Sequence, residues 1–331
     1  MQTLLLSDNE VKSLLSMNEV IEAVESAFKE KGLGRVQMPA KIYLFYKKYN
    51  GDLRAMPSYL EELDISAVKI VNVHPDNRTK YGLPTVMATI VLVDPKSGAP
   101  IAIMGGTTIT DMRTGAAGGI AAKYLARKDS KVVGLVGAGA QARTQLMALL
   151  EVFGKFDEVR VWSRSKETRE NFKAEMEPKY GHLCNLITVA NVEDAVKGAD
   201  IVVTTTPSRE PIVKNDWVSS GMHFNCIGAD APGKEELDPA ILKRAKIIVD
   251  DWEQASHSGE INVPLSKGII TNDNVLGEIG EVVAGIKPGR TSDEEITVFT
   301  STGLAIQDAA TAYLAYTKAL EKGIGKQIEI V

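Results

Sequence analysis

Apolar residues recur with a helical period at Leu14, Leu15, Met17, Val20, Ile21, Ala23, Val24 and Phe28, which predicts an amphipathic helix over residues 13–31. Short strand-like runs follow at 41–45, 67–73 and 85–93, punctuated by Asn50-Gly51, Pro57 and Gly82-Leu-Pro84. The first third of the chain therefore reads as mixed α and β with a strand-rich middle. Near Asp129 the rhythm changes to regular alternation, with strand-like runs at 131–136, 158–162, 186–189, 201–204, 222–227, 246–249 and 295–300 separated by helix-length segments. Alternation of this kind predicts an α/β fold with a parallel sheet wound on both faces by helices. A helix over 305–321 closes the chain.

At 331 residues a single core has usually stopped growing, so two domains are expected. With 44% hydrophobic and 24% charged residues, disordered and collagen-like classes are excluded. The net charge of -5 offers no long-range attraction to nucleic acid or anionic membranes. Cys184 and Cys226 have no paired spacing and suit free thiols in a reducing cytosol, and the N-terminus carries no targeting pattern, so a cytoplasmic protein is expected. The longest apolar run, 85–93, is under half of the ~20 residues a spanning helix needs.

Several motifs bear on chemistry. Gly137-x-Gly139-x-x-Ala142 follows an apolar strand and opens a helix, the order in which glycines permit close backbone approach to a dinucleotide pyrophosphate. About 20 residues on, the tip of the second strand should carry an acid if an unphosphorylated ribose is held. It reads Ser163-Arg164-Ser165, a cation and hydroxyls suited to a 2′-phosphate, which tilts the cofactor from NAD(H) toward NADP(H). Lys69 shares a strand face with Val71 and Val73, where desolvation would bring its pKa into a useful range; a lysine snorkelling from an edge strand fits the same segment. Asp230 lies just beyond a parallel strand, as a general base or as a turn former before Pro-Gly. Arg113, at the expected start of a small-residue helix, is a carboxylate clamp or a solvated cation. His74, His182, His223 and His257 show no metal-ligand spacing, so no metal is expected, and a Gly-x-Ser-x-Gly elbow is absent.

Together these segments resemble the ornithine cyclodeaminase/mu-crystallin family, most closely its archaeal alanine dehydrogenase branch, along essentially the whole chain. The residues that carry the resemblance are Gln37-Met-Pro-Ala-Lys41, Asp52-Leu-Arg-Ala-Met-Pro57, Val68-Lys-Ile-Val-Asn-Val-His-Pro75, Gly82-Leu-Pro-Thr-Val86, Arg113-Thr-Gly-Ala-Ala-Gly118, Gly137-Ala-Gly-Ala-Gln141, Thr204-Thr-Thr-Pro207, Gly228-Ala-Asp-Ala-Pro-Gly-Lys234, Gly259-Glu-Ile-Asn262 and Ser301-Thr-Gly-Leu-Ala-Ile-Gln-Asp308. The resemblance implies a homodimer. Each subunit would combine a Rossmann dinucleotide-binding domain, 127–304, with a substrate and dimerisation domain made from 1–126 and 305–331.

Carried over by position, Lys69 and Asp230 match the catalytic lysine and the acid that handles water and protons. Lys41, Arg54, Lys69 and Arg113 are the candidates for binding an amino-acid or 2-oxo-acid substrate. Thr85, Arg113, Gly137, Gly139, Ala140, Gln141, Ser163, Arg164, Ser165, Thr205, Gly228, Asp230, Lys234 and Ser301 are the candidates for the cofactor. Two departures stand out. Ser163-Arg164 replaces the acid of NAD-using relatives, and Met56 replaces a glutamate that in the cyclodeaminases lies near the substrate side chain. The implied activity is oxidative deamination of L-alanine to pyruvate and ammonia, and its reverse. Ornithine or lysine cyclodeamination, reduction of a cyclic imine such as pyrroline-2-carboxylate, and non-catalytic cofactor binding of the crystallin kind are the alternatives within the same resemblance.

Overall fold

The computed structural model describes residues 2–330. The chain divides into two compact units, Met1–Arg113 with Leu304–Val331, and Thr114–Gly303. No helix among the described residues is long and apolar enough to cross a membrane.

The first unit is built on eight strands in the order Lys326–Glu329, Gln2–Leu6, Pro100–Gly105, Val86–Val93, Ile65–Val73, Gly51–Leu60 and Val36–Gln37, with Ile42–Tyr46 also paired to Gly51–Leu60. Only Gln2–Leu6 and Pro100–Gly105 run parallel. The helix Ala305–Lys322 lies across the central strands and against the helix Met17–Gly32, to which Lys318 ties it by an ion pair with Glu19 at 2.6 Å. Because side chains alternate along a strand, Lys69, Val71, Met56 and Arg54 share the face beneath that helix. Ile42, Leu44 and Ile70 project from the other face and are exposed.

The sequence pattern differs from this unit in three places. The helix expected over 13–31 is two helices, Asp8–Leu14 and Met17–Gly32. Leu15 and Ser16 are extended between them, and Ser7 closes a capping box with Glu10 on the first. Pro57, read as punctuation, sits inside the strand Gly51–Leu60. On the outer side of that strand, Ile42–Tyr46 pairs with residues 51–55 and Val36–Gln37 with residues 59–60. Pro57 occupies the gap between them, where a missing N–H leaves no outer ladder bond unmade. Arg113 is not at a helix start, for its helix runs Thr107–Leu125 and the residue is buried in the second turn.

The second unit has the expected α/β fold. Its eight strands are all parallel, in the order Asn185–Thr188, Glu158–Trp162, Val132–Val136, Ile201–Thr204, His223–Cys226, Thr297–Thr300, Lys246–Val249 and Val275–Glu278. One apolar core lies on each face. Leu135, Val161 and Val203 pack with Leu146, Leu149 and Phe172, while Val202, Phe224 and Val298 pack with Ile241, Leu242 and Ala255. The winding direction reverses between Val132–Val136 and Ile201–Thr204, the point at which open α/β sheets bind ligands beyond their strand ends.

The division at 113/114 falls inside the helix Thr107–Leu125, short of the 126/127 boundary that the resemblance implies. The cause is the small-residue face of that helix. A Cβ on Gly115 would lie 2.4 Å from the Thr144 carbonyl oxygen, and one on Gly119 2.9 Å from the Ala148 Cβ, so this half of the helix packs backbone-close onto the helix Ala140–Phe153. Gly115→Ala should therefore destabilise the protein by about 1–3 kcal/mol through overpacking against backbone, despite the better helix propensity of alanine. Urea unfolding checks this. An unchanged or raised midpoint would show that the two helices have room to separate.

Candidate active site

In the first unit the lysine expected on an apolar strand face is enclosed. Lys69 is 1% exposed, stands directly opposite Met56 and Ile90 in the sheet, and forms an ion pair with Asp308 at 2.6 Å. The Thr110 hydroxyl donates to the Gly106 carbonyl at 2.7 Å, so its oxygen is the acceptor that faces the lysine at 3.5 Å. The other Asp308 oxygen receives Nε of Arg113 at 3.0 Å, and Nη1 of Arg113 reaches Gln307 Oε1 at 3.2 Å. Burial, with the Arg113 charge beside it, brings the Lys69 ammonium from 10.5 down to about 7 against the opposing pull of Asp308; Lys41 adds to the depression. Lys41, Lys69 and Arg113 are thus brought together. Arg54 lies on the same sheet face, two residues from Met56, held by Asp52 at 2.9 and 3.1 Å and lying over the Tyr43 ring. Thr85 is half-buried ahead of the strand Val86–Val93, where its carbonyl accepts from His74 N–H. The apolar wall beside Lys69 is Met56, Val71 and Ala305, with Met38, Val86 and Ala88 against it.

In the second unit the glycine motif lies at the switch point. Gly137 has φ +120, and a Cβ there would lie 2.3 Å from the Thr205 hydroxyl, a buried oxygen without a hydrogen-bond partner among the described residues. Gly139 is the N-cap of the helix Ala140–Phe153 and has no side-chain cap; a Cβ on it would meet no protein atom within 4 Å. Open space before an uncapped helix start, beside an orphaned hydroxyl, fits the pyrophosphate of a dinucleotide. Ala140 and Gln141 form the first turn of that helix. Ser163-Arg164-Ser165 is tied alongside, since the Gly137 amide donates to the Trp162 carbonyl at 2.9 Å. The Ser165 oxygen accepts from Thr168 N–H as a helix cap, the Ser163 carbonyl accepts from Arg169, and Arg164 is exposed.

Beyond the next strands come Gly228, Asp230 and Lys234. Lys234 Nζ lies 2.6 Å from Asp230 Oδ1. The Ser301 amide donates to the Cys226 carbonyl at 3.0 Å, placing it beside the same strand end.

Four acids that carry this framework were not among the candidate site residues, although Glu260 and Asp308 lie within segments that carry the resemblance. Besides Asp308, Glu236 is fully buried and accepts from Thr206 N–H and hydroxyl, both at 2.7 Å, and from Gly228 N–H at 3.1 Å, joining the loops that follow two adjacent strands. Glu260 accepts from the amides of Glu236 and Leu237 at 2.8 and 2.7 Å. Burial pushes both carboxyls up, and the Glu236 charge adds to the rise at Glu260. Asp250, also fully buried, accepts from the amides of Thr302 and Gly303 at 2.6 and 2.9 Å and from the Ser301 hydroxyl at 3.3 Å. Glu260 and Asp308 each stand as a lone carboxylate among apolar, small and amide residues, whereas Glu236 and Asp250 sit beside other acids and carry no local signal, because their partners are loops distant in the chain. His223 is buried between Thr297 and Asn225 and pushed down to about 3 by burial, a structural histidine. Among the described residues no group of His, Cys, Asp and Glu is arranged to hold a metal.

The sequence profile of the ornithine cyclodeaminase/mu-crystallin family matches residues 1–323. An alanine dehydrogenase of Archaeoglobus fulgidus is 51% identical over 329 residues, 99% of each chain. An archaeal alanine dehydrogenase dimer with bound NAD superposes with a TM-score of 0.95 at 51% identity, covering 100% of both chains. The Δ1-pyrroline-2-carboxylate reductase of Thermococcus litoralis, solved with NADH and L-proline, superposes with a TM-score of 0.94 at 46% identity, covering 98% of this chain and 100% of the other. The chain belongs to the ornithine cyclodeaminase/mu-crystallin family.

Proposed function

We propose that the protein is a nicotinamide-dependent alanine dehydrogenase, interconverting L-alanine with pyruvate and ammonia. The observation that carries the reading is Lys69: a buried amine poised near neutrality, beside the Arg113 and Lys41 cations, against a wall of Met56, Val71 and Ala305. Such a wall accepts a methyl side chain and gives no anion to a distal ammonium, which disfavours ornithine and lysine. The Archaeoglobus relative supports alanine as the substrate.

A bound nicotinamide supplies a hydride acceptor for the substrate Cα. Lys69 in its uncharged form takes the proton that the amine loses as the carbon–nitrogen double bond forms. A cation among Lys41, Arg54 and Arg113 holds the substrate carboxylate. Asp230 takes a proton from the water that adds to the imine carbon and returns it to nitrogen; a second proton then passes through the same carboxylate from the new hydroxyl to nitrogen, so that the carbon–nitrogen bond breaks as the carbonyl forms, releasing ammonia and the 2-oxo acid. Thr85, Arg113, Gly137, Gly139, Ala140, Gln141, Thr205, Gly228, Lys234 and Ser301 are the residues assigned to the dinucleotide.

The assay is purified protein with L-alanine and oxidised cofactor, following reduced cofactor and pyruvate. Because Lys69 titrates near about 7 and must be uncharged to accept a proton, alanine oxidation should rise with pH through that value, while pyruvate amination, which needs the ammonium, should fall through it. Asp230→Asn should lower kcat by about 10²-fold or more with cofactor binding intact. Oxidation of NADH by pyrroline-2-carboxylate without any alanine turnover would replace the reading with cyclic imine reduction, the activity of the Thermococcus relative.

Arg164, exposed at the tip of the second strand, is assigned to the 2′-phosphate of NADP(H), a charge-assisted contact worth about 1.5–3 kcal/mol. Arg164→Ala should then weaken NADPH binding about 10- to 100-fold and leave NADH binding nearly unchanged. Equal weakening of both cofactors in fluorescence titration, or a wild type that clearly prefers NADH, would refute the assignment.

The exposed row Ile42, Leu44 and Ile70 on the outer face of the first unit's sheet is the homodimer surface in this reading, in keeping with the dimeric archaeal relative. Ile42→Asp should shift the protein toward monomer in light scattering. A dimer as tight as wild type would place the interface elsewhere.

A further inference from the structure

We propose that Asp308, in the first turn of the helix Ala305–Lys322, is a positioning residue whose single carboxylate fixes the proton-transfer amine of Lys69 against the guanidinium of Arg113. The inference rests on the roles assigned above to those two residues.

The geometry behind it is a junction of three elements. The strand Ile65–Val73 supplies Lys69, the helix Thr107–Leu125 supplies Arg113, and the C-terminal helix supplies the anion between them, at 2.6 Å from one and 3.0 Å from the other. Side-chain exposure is 1% at Lys69, 8% at Arg113 and 2% at Asp308, so solvent cannot stand in for any of them. The carboxylate is itself fixed. Its neighbour Gln307 accepts the Leu304 amide at 2.8 Å and Arg113 Nη1 at 3.2 Å through one oxygen, which clamps the helix start to the same guanidinium. A carboxylate in the first turn of a helix also lies in the favourable field of its unpaired amides.

The charges facing Lys69 make the anion indispensable. Arg113 and Lys41 both disfavour its ammonium, and Asp308 is the group that favours it. Arg54, on the strand opposite, is engaged by Asp52. Without Asp308 a charged Lys69 would face two cations in a site closed to water, so the amine would stay uncharged to lower pH and lose the direction that the ion pair gives it. A residue that merely filled space would change stability and leave that titration where it was.

The test reads the titration directly. Protein labelled with ε-13C lysine is titrated by NMR, the Lys69 resonance being the one missing from Lys69→Arg. In the wild type it should inflect near about 7, and in Asp308→Asn at least about one unit lower. An inflection unmoved by Asp308→Asn overturns the proposal. Asp308→Glu covers the case in which the asparagine variant does not fold. Keeping the charge but displacing it by a methylene, it should hold the titration close to wild type while lowering kcat about tenfold or more. Wild-type kcat in Asp308→Glu also overturns the proposal. The titration does not depend on which substrate the enzyme turns over, so a shift in Asp308→Asn alongside absent alanine turnover would refute the substrate reading and support the role of Asp308.

Discussion

The first unit depends on one buried ion cluster. Placing the Lys69 ammonium out of water costs several kcal/mol, and the ion pair with Asp308 offsets only part of it, because the same carboxylate also answers Arg113. The compromise leaves the lysine near about 7 rather than fully charged or fully neutral. A group in that state gives and takes a proton with little driving force either way, which is what a reversible amine oxidation asks of its acid and base. Removing Asp308 leaves two buried cations without their anion, so the proton transfer proposed for Lys69 and the docking of the C-terminal helix rest on the same contacts.

The second unit solves a different problem, holding irregular loops rigid at the ends of parallel strands. Loop backbone needs hydrogen-bond partners once water is excluded. Buried acids provide them: Glu236 spans the loops after two neighbouring strands, Glu260 holds the backbone of Glu236, and Asp250 gathers residues 301–303. The residues assigned to the dinucleotide, Thr205, Gly228 and Ser301, lie next to these anchors rather than among them. Binding residues thus stay available to a ligand while acids behind them fix the backbone.

The two units use glycine and alanine to similar effect. On the helix Thr107–Leu125 small residues admit another helix at backbone distance, and at Gly137 the missing Cβ leaves room beside Thr205. In both places a side chain would fill space that the fold needs, either for packing or for a phosphate.

The sequence by itself determined the class of fold and most candidate side chains. The period-2 and period-3.6 patterns and the strand–glycine–helix order are local, so the parallel Rossmann sheet, the motif at Gly137–Ala142 and an unusual lysine on an apolar strand were legible from neighbours in the chain. The resemblance raised Lys69, Arg113 and Asp230 above their equally plausible readings as snorkelling, solvated or turn-forming residues. What only the tertiary structure decided is long-range. Asp308 meets Lys69 across 239 positions of chain and Arg113 across 195, and Pro57 is tolerated only because two different strands leave a gap beside it. The helix Thr107–Leu125 divides between two units because of what lies opposite its glycines. Burial and pairing are properties of the whole packing, and a pKa follows from both, so a lysine can be singled out from its strand but its proton can be placed only once its three-dimensional partners are known.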